Sequence, residues 1–222
     1  RGLCLAGMNV ARLNFSHGTY EEHQKRIDMI KKVRKDLNLP VAIMLDTKGP
    51  EYRIKTFENG KVLLSDGDSF TFTTDDVVGN KERVSVSYKN LVNDISIGDI
   101  ITVNNGLVVF EVQEKDKNNV NCKVVIGGEL SDRKSMHFPG IVMKHEFLSE
   151  QDKQDLLFGI KNDVDFVAAS FVSKANDLIE LRQFLDENGG KDIDIVAKIE
   201  NRSGVEKIEE IIEECDGVMV AR

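Results

Sequence analysis

MNVARLNFSHGTYEEHQKRIDMIKKVRKDLNLPVAIML, residues 8–45, decides the fold class. Residues 8–15 mix apolar side chains with Asn and Arg and read as a buried strand ending in a polar loop. Thr19, with Glu22 three residues on, makes a capping box for a helix. Over residues 20–35, Ile27, Ile30 and Val33 recur at helical spacing against Glu, Lys and Arg. Asn38 and Pro40 close that helix. Residues 41–45, VAIML, are a continuous apolar run, the pattern of a strand covered on both faces. Strand, helix and strand of this buried kind form a βαβ unit, which predicts a parallel sheet.

The same rhythm resumes late in the chain. Residues 149–162 read as a helix capped by Ser149 and Asp152, and 164–172 as an apolar strand. A helix over 176–187 ends at Gly189-Gly190, a strand follows at 193–199, a helix at 203–214 and a last strand at 217–221. Between the two α/β stretches, short β-type runs stand at 62–64, 69–73, 84–86, 100–103, 107–113 and 121–126. Turn chemistry separates them: ENG at 58–60, DGD at 66–68, NNG at 104–106 and DKNN at 116–119. That pattern predicts a small antiparallel barrel or sandwich inserted into the α/β domain. The predicted division is 1–51 and 140–222 for the α/β domain and 52–139 for the β insertion. No repeat or low-complexity linker is visible.

The α/β part supplies about half of what a (β/α)₈ barrel of roughly 250 residues needs. A doubly wound sheet could use five strands as a whole. Polar clusters at the C-terminal ends of different strands favour the partial (β/α)₈ TIM barrel. The chain opens at Arg1, residues 2–7 read as the end of a helix, and 217–221 stop without a cap, so the expectation is a fragment.

With 30 Lys+Arg against 38 Asp+Glu, the 222-residue chain carries a formal charge of −8. Phosphate backbones and anionic lipid surfaces repel such a protein, so neither nucleic acid nor membrane is an expected partner. The apolar runs at 41–45 and 166–169 are far too short to span a bilayer. Cys4, Cys122 and Cys215 fit neither a disulfide framework nor a C-x-x-C metal site, and a reducing, cytoplasmic setting is expected.

Four strand ends carry clustered polar groups: Arg12 to His17, Asp46 to Lys48, Lys198 to Asn201, and Arg222. Asn14, Ser16, Asp46 and Thr47 offer hard oxygen donors suited to a weakly polarising cation. Glu200 is a lone carboxylate that a magnesium ion could share with substrate oxygens. Arg12 and Lys198 supply the local positive charge with which an acidic protein can hold an anionic substrate. Each cluster has a plainer explanation: a basic residue pairing with an Asp, Asp46-Thr47 capping a helix, His17 bonding loop backbone. Recurrence at successive strand ends favours the functional reading.

MNVARLNFSHG (8–18), LDTKGPE (45–51), KIEN (198–201) and DGVMVAR (216–222) resemble the signature segments of the pyruvate kinase family, in order and across essentially the whole chain. The resemblance implies a (β/α)₈ barrel with a mobile B domain closing over the active site. It implies phosphoryl transfer from phosphoenolpyruvate to ADP, giving pyruvate and ATP. It also implies roles: Arg12 on the substrate phosphate; Asn14, Ser16, Asp46 and Thr47 around K⁺; Lys198 on the phosphoryl group in transfer; Glu200 on Mg²⁺ or Mn²⁺. Arg53, Lys134 and His17 would approach the nucleotide phosphates. The full-length protein would be a homotetramer, and this chain alone inactive.

Departures from the family pattern fall at 134–140, KSMHFPG, where Ser135 cannot visit glycine-only conformations cheaply, and at Tyr52, Ile54 and Lys55. A magnesium-dependent carbon–carbon lyase and a non-catalytic β module are the competing readings. Reaction products would separate kinase from lyase, and potassium-dependent turnover would separate enzyme from module.

Overall fold

The computed structural model describes residues 1–141, 143 and 146–221. The notable C-terminal candidate Arg222 lies outside the described residues. The chain divides into two compact units, Arg1–Pro50 with Glu146–Arg222, and Glu51–His145.

The first unit opens with a short helix α1 (Gly2–Leu5), followed by strand β1 (Val10–Asn14) and helix α2 (Tyr20–Leu37). Thr19 accepts from the Glu22 amide and Glu22 returns a bond to the Thr19 amide, so two of the helix's orphan donors are satisfied. Glu21 and Glu22 lie at the positive end of α2, Arg34 and Lys35 at the negative end. Asn38 ends the helix at φ 52°, a left-handed cap that Asn tolerates better than most residues. Strand β2 (Ala42–Asp46) then pairs parallel to β1.

The second unit follows: β3 (Lys61–Leu64), β4 (Ser69–Thr73), β5 (Arg83–Ser85), a one-turn helix α3 (Leu91–Asp94), β6 (Ile100–Val103), β7 (Val108–Lys115), β8 (Asn119–Ile126), β9 (Gly128–Ser131) and β10 (Met136–His137). One sheet has the order β10-β6-β7-β8-β4-β5, and β3 pairs with β9 in a second. The pairings are antiparallel except β4 with β5, which run parallel, a departure from the purely antiparallel expectation. β9, β10 and α3 are additions to the predicted runs; Gly128 and the two-residue length of β10 hid the first two from a period-2 reading. Asn104, Asn105 and Gly106 all take positive φ in the β6–β7 turn, the chemistry that the NNG triplet advertised. Phe70, Phe72 and Phe110 pack ring to ring at 4.9–5.6 Å in this unit's own core.

The chain then returns to the first unit with α4 (Glu150–Lys161), β11 (Phe166–Ala169), α5 (Ala175–Glu187), β12 (Asp194–Ile199), α6 (Arg202–Glu206), α7 (Ile208–Glu213) and β13 (Gly217–Val220). The sheet order is β1-β2-β11-β12-β13, every pairing parallel, in a curled half-barrel sheet. Strand order follows chain order without reversal, so among the described residues there is no switch point of the doubly wound kind. Ile43, Leu45, Val167, Ile195 and Ala197 form the sheet's share of a core closed by Ile27, Leu156, Leu178 and Leu181 from the helices.

Two expectations change. The strand expected over 164–172 stops at Ala169, because Phe171 turns the chain with φ 60°. The helix expected over 203–214 breaks at Lys207 (φ −110°, ψ 23°), and its first piece holds Ser203, Gly204 and Val205, all poor helix formers.

Candidate functional site

The parallel sheet places its strand C-termini along one rim, where Asn14, Asp46, Ala169 and Ile199 end their strands. Register fixes what meets there. Asn14 is opposite Asp46 across β1 and β2, and Asp46 is opposite Ala168 of β11. Asp46 is 1% exposed. Its Oδ2 accepts from the Arg12 Nε at 2.7 Å and also pairs with Arg12 Nη2, while its Oδ1 lies 3.0 Å from the Lys198 Nζ. The ammonium continues to Glu200 Oε1 at 3.4 Å. Arg12, Asp46, Lys198 and Glu200 therefore form one chain of alternating charges drawn from three strands.

The energetics of that chain are one-sided. A carboxylate as buried as Asp46 is tolerable because a cation meets each oxygen; removing either cation leaves an uncompensated buried charge. The Arg12 side chain is half exposed, so it alone of these four residues shows a large face to solvent. The charges cancel within the chain, and its solvent-facing positive charge lies on the outer face of Arg12.

Ser170 was hidden inside the expected apolar strand, yet it sits at the centre. Its Oγ accepts from Lys198 Nζ at 2.7 Å and donates to the Thr47 carbonyl at 2.6 Å. The Phe171 amide donates to Glu200 Oε2 at 2.9 Å. A polar residue directly after an apolar strand core, AASFV at 168–172, is the signal that could have revealed it.

The oxygen set holds together at the first two strand ends. Asn14 Oδ1 accepts from the Ser16 amide at 2.9 Å, and the Phe15 amide donates to the Asp46 carbonyl at 3.0 Å. Thr47 caps no helix; its amide donates to Ala168 and its Oγ1 accepts from the Ser170 amide. Amide, hydroxyl, carbonyl and carboxylate oxygens with no sulfur or imidazole among them fit a monovalent cation. Among the described residues no three His, Cys, Asp or Glu side chains gather as a metal-binding group. Glu200 as a single carboxylate fits magnesium held largely by substrate oxygens and water.

The His17 carbonyl meets His23 Nε2 at 2.9 Å, and the His17 side chain is exposed. In the second unit Arg53 pairs with Glu51 and donates to the Arg133 carbonyl at 2.5 Å. Ser135 bridges Arg53 in antiparallel fashion, and the left-handed backbone falls on Arg133 and Gly140 instead. The feared clash of Ser135 with a glycine conformation does not arise. Lys134 uses its carbonyl to accept from Ile54 at 3.0 Å. Nearby His137 is half-buried, and burial pulls its pKa down against the opposing pull of Glu51.

The fold and the cluster define an α/β protein that gathers cations and carboxylates at the C-terminal rim of a parallel sheet. The family model described as pyruvate kinase, barrel domain, matches residues 1–222. Pyruvate kinase of Clostridium perfringens is 46% identical over 217 residues, which is 97% of this chain and 46% of that protein. That of Staphylococcus epidermidis is 47% identical over 219 residues, 98% of this chain and 37% of that protein, and that of Bacillus licheniformis 45% over a similar span. The chain belongs to the pyruvate kinase family, and it spans less than half the length of these curated relatives.

Proposed function

We propose that this chain supplies part of the active site of a cytoplasmic, homotetrameric pyruvate kinase, which moves the phosphoryl group of phosphoenolpyruvate to ADP in glycolysis. The observation that carries the reading is the continuous Arg12–Asp46–Lys198–Glu200 chain at the strand ends. The proposed architecture is a partial (β/α)₈ barrel, 1–51 and 140–222, with an inserted β module at 52–139. Strand order without reversal supports it.

Phosphoryl transfer asks a protein for alignment and for neutralisation of spread negative charge. Arg12 binds the phosphate of the arriving substrate through its exposed guanidinium face. Lys198, a compact point charge held from three sides, stabilises the group in transfer. Asn14, Ser16, Asp46 and Thr47 would hold K⁺, and Glu200 would hold Mg²⁺ or Mn²⁺. When bound, these ions reduce the repulsion between the two anionic substrates. Arg53, Lys134 and His17 carry the proposed nucleotide contacts; the Arg53 pairing with Glu51 is then exchanged for a phosphate.

The test uses the full-length protein containing this chain, assayed for pyruvate and ATP with K⁺ and Mg²⁺ present. Lys198→Met and Arg12→Met each lower kcat/KM about 100-fold or more. Wild-type turnover in Lys198→Met overturns the assignment, and carbon–carbon cleavage products would support the lyase instead. The 222-residue chain by itself is expected to form no pyruvate.

A further inference from the structure

We propose that Ser170 is a positioning residue for phosphoryl transfer, aiming the Lys198 ammonium from a left-handed corner at Phe171. The inference rests on the reading of Lys198 given above. An ammonium has three N–H bonds, and three oxygens surround this one: Ser170 Oγ at 2.7 Å, Asp46 Oδ1 at 3.0 Å and Glu200 Oε1 at 3.4 Å. The shortest contact is to the neutral hydroxyl. A neutral acceptor can orient the cation without cancelling the charge that the transferring group needs.

The hydroxyl is itself oriented. It has a single hydrogen, and the Thr47 carbonyl at 2.6 Å takes it, with Asp46 Oδ1 farther off at 3.3 Å. Its lone pairs are left to face Lys198. The Ser170 amide is also tied to Thr47, donating to Oγ1 at 3.1 Å. Ser170 thus links the cation-site carbonyl to the phosphoryl-site ammonium through one rotor, 1% exposed.

The corner beside it is held in a conformation that Phe does not choose. Phe171 has φ 60°, an outlier for a bulky side chain. Three bonds hold Phe171: its amide donates to Glu200, and its carbonyl accepts from Asn201 Nδ2 and from Ser173 Oγ; Asn201 Nδ2 also reaches the neighbouring Val172 carbonyl. Glycines close both sides. A Cβ at Gly49 would come within 2.8 Å of Ser170, and one at Gly204 within 2.6 Å of the Val172 carbonyl. Strained backbone persists only where its surroundings over-determine it. Here those bonds tie the residue after Ser170 to Glu200, and Ser170 and Glu200 both contact Lys198.

The experiment is a double-mutant cycle in the full-length enzyme. Ser170→Ala lowers kcat about 10-fold or more while the phosphoenolpyruvate KM stays within about threefold, since the loss is one of orientation. In a Lys198→Met background the same change alters the remaining rate by less than about twofold, because the interaction partner is already gone. Ser170→Cys, close in volume with a weak acceptor, falls between, and it carries the comparison should Ser170→Ala not fold. Wild-type kcat in Ser170→Ala, with Lys198→Met impaired, overturns this inference alone. So does an equal loss in both backgrounds, which marks a merely structural serine. Full turnover in Lys198→Met overturns the assignment of Lys198 and this inference with it.

Discussion

Asp155 of α4 is 2% exposed, and its carboxylate accepts from the Tyr20 hydroxyl at 2.6 Å and from Gln151 at 2.9 Å. Burial raises its pKa above the ordinary value of 3.8, and the bonds from Tyr20 and Gln151 only partly oppose this. The Tyr20 phenol is pushed up to about 12, by burial first and by Asp155 second. A carboxyl with a raised folded pKa holds its proton more tightly folded than unfolded. Its contribution is therefore greatest in acid and is lost as pH climbs through and beyond the unfolded value. Asp155→Asn removes that dependence. From about pH 4 to about pH 7, the thermal midpoint of the variant gains on the wild type; parallel curves would refute the shift. The residue scale is also where sequence reading met its limit. Arg12, Asp46, Lys198 and Glu200 stood out because polar clusters recur at successive strand ends. Ser170 did not, because the apolar strand was read straight through AASFV at 168–172 and over the polar residue that interrupts it.

At the scale of elements, two turns of the first unit are built alike. The Asp165 amide donates to the Ile43 carbonyl, its Oδ2 accepts from the Ile43 amide, and Arg34 binds that same Oδ2 together with the Val41 carbonyl. Asp216 repeats this with Ile195, Arg182 and the Ile193 carbonyl. In each, an Arg from a helix and an Asp just before a strand clamp the start of the neighbouring strand. No repeat was legible in the sequence, because the partners are 131 residues apart in one clamp and 34 in the other. The Asp216 side chain is 46% exposed, so solvent screens part of the ion pair and the backbone bond dominates. Asp216→Ala is expected to cost about 1–2 kcal/mol in urea unfolding, and Asp216→Asn to restore most of it through the Ile195 amide. Equal losses in both variants would place the stabilisation in the charge. The capping boxes at Thr19 and Ser149 were readable beforehand, since their parts lie within four residues.

In the whole molecule, two cores divide the apolar side chains. One is carried by the parallel sheet and its helices, the other by the β-rich unit around Phe70, Phe72 and Phe110. Phe110 is wholly buried and touches both other rings. Phe110→Ala is expected to cost about 3–5 kcal/mol. Hydrogen exchange should quicken through β4, β6, β7 and β8 while β2, β11 and β12 keep their protection. Loss of protection in both sets would show one shared core.

Local patterns alone determined that there is a βαβ region and a β-rich middle, because periodicity, caps and turn residues act within a few positions of one another. They also marked the charged strand ends. Only the tertiary structure decided that Asp46 stands between Arg12 and Lys198, that Phe171 turns the chain, and that Ser170 faces the ammonium. Those contacts join residues as far apart as Asp46 and Lys198, 152 positions along the chain. Parallel register brings such residues to one rim, and no local preference encodes it.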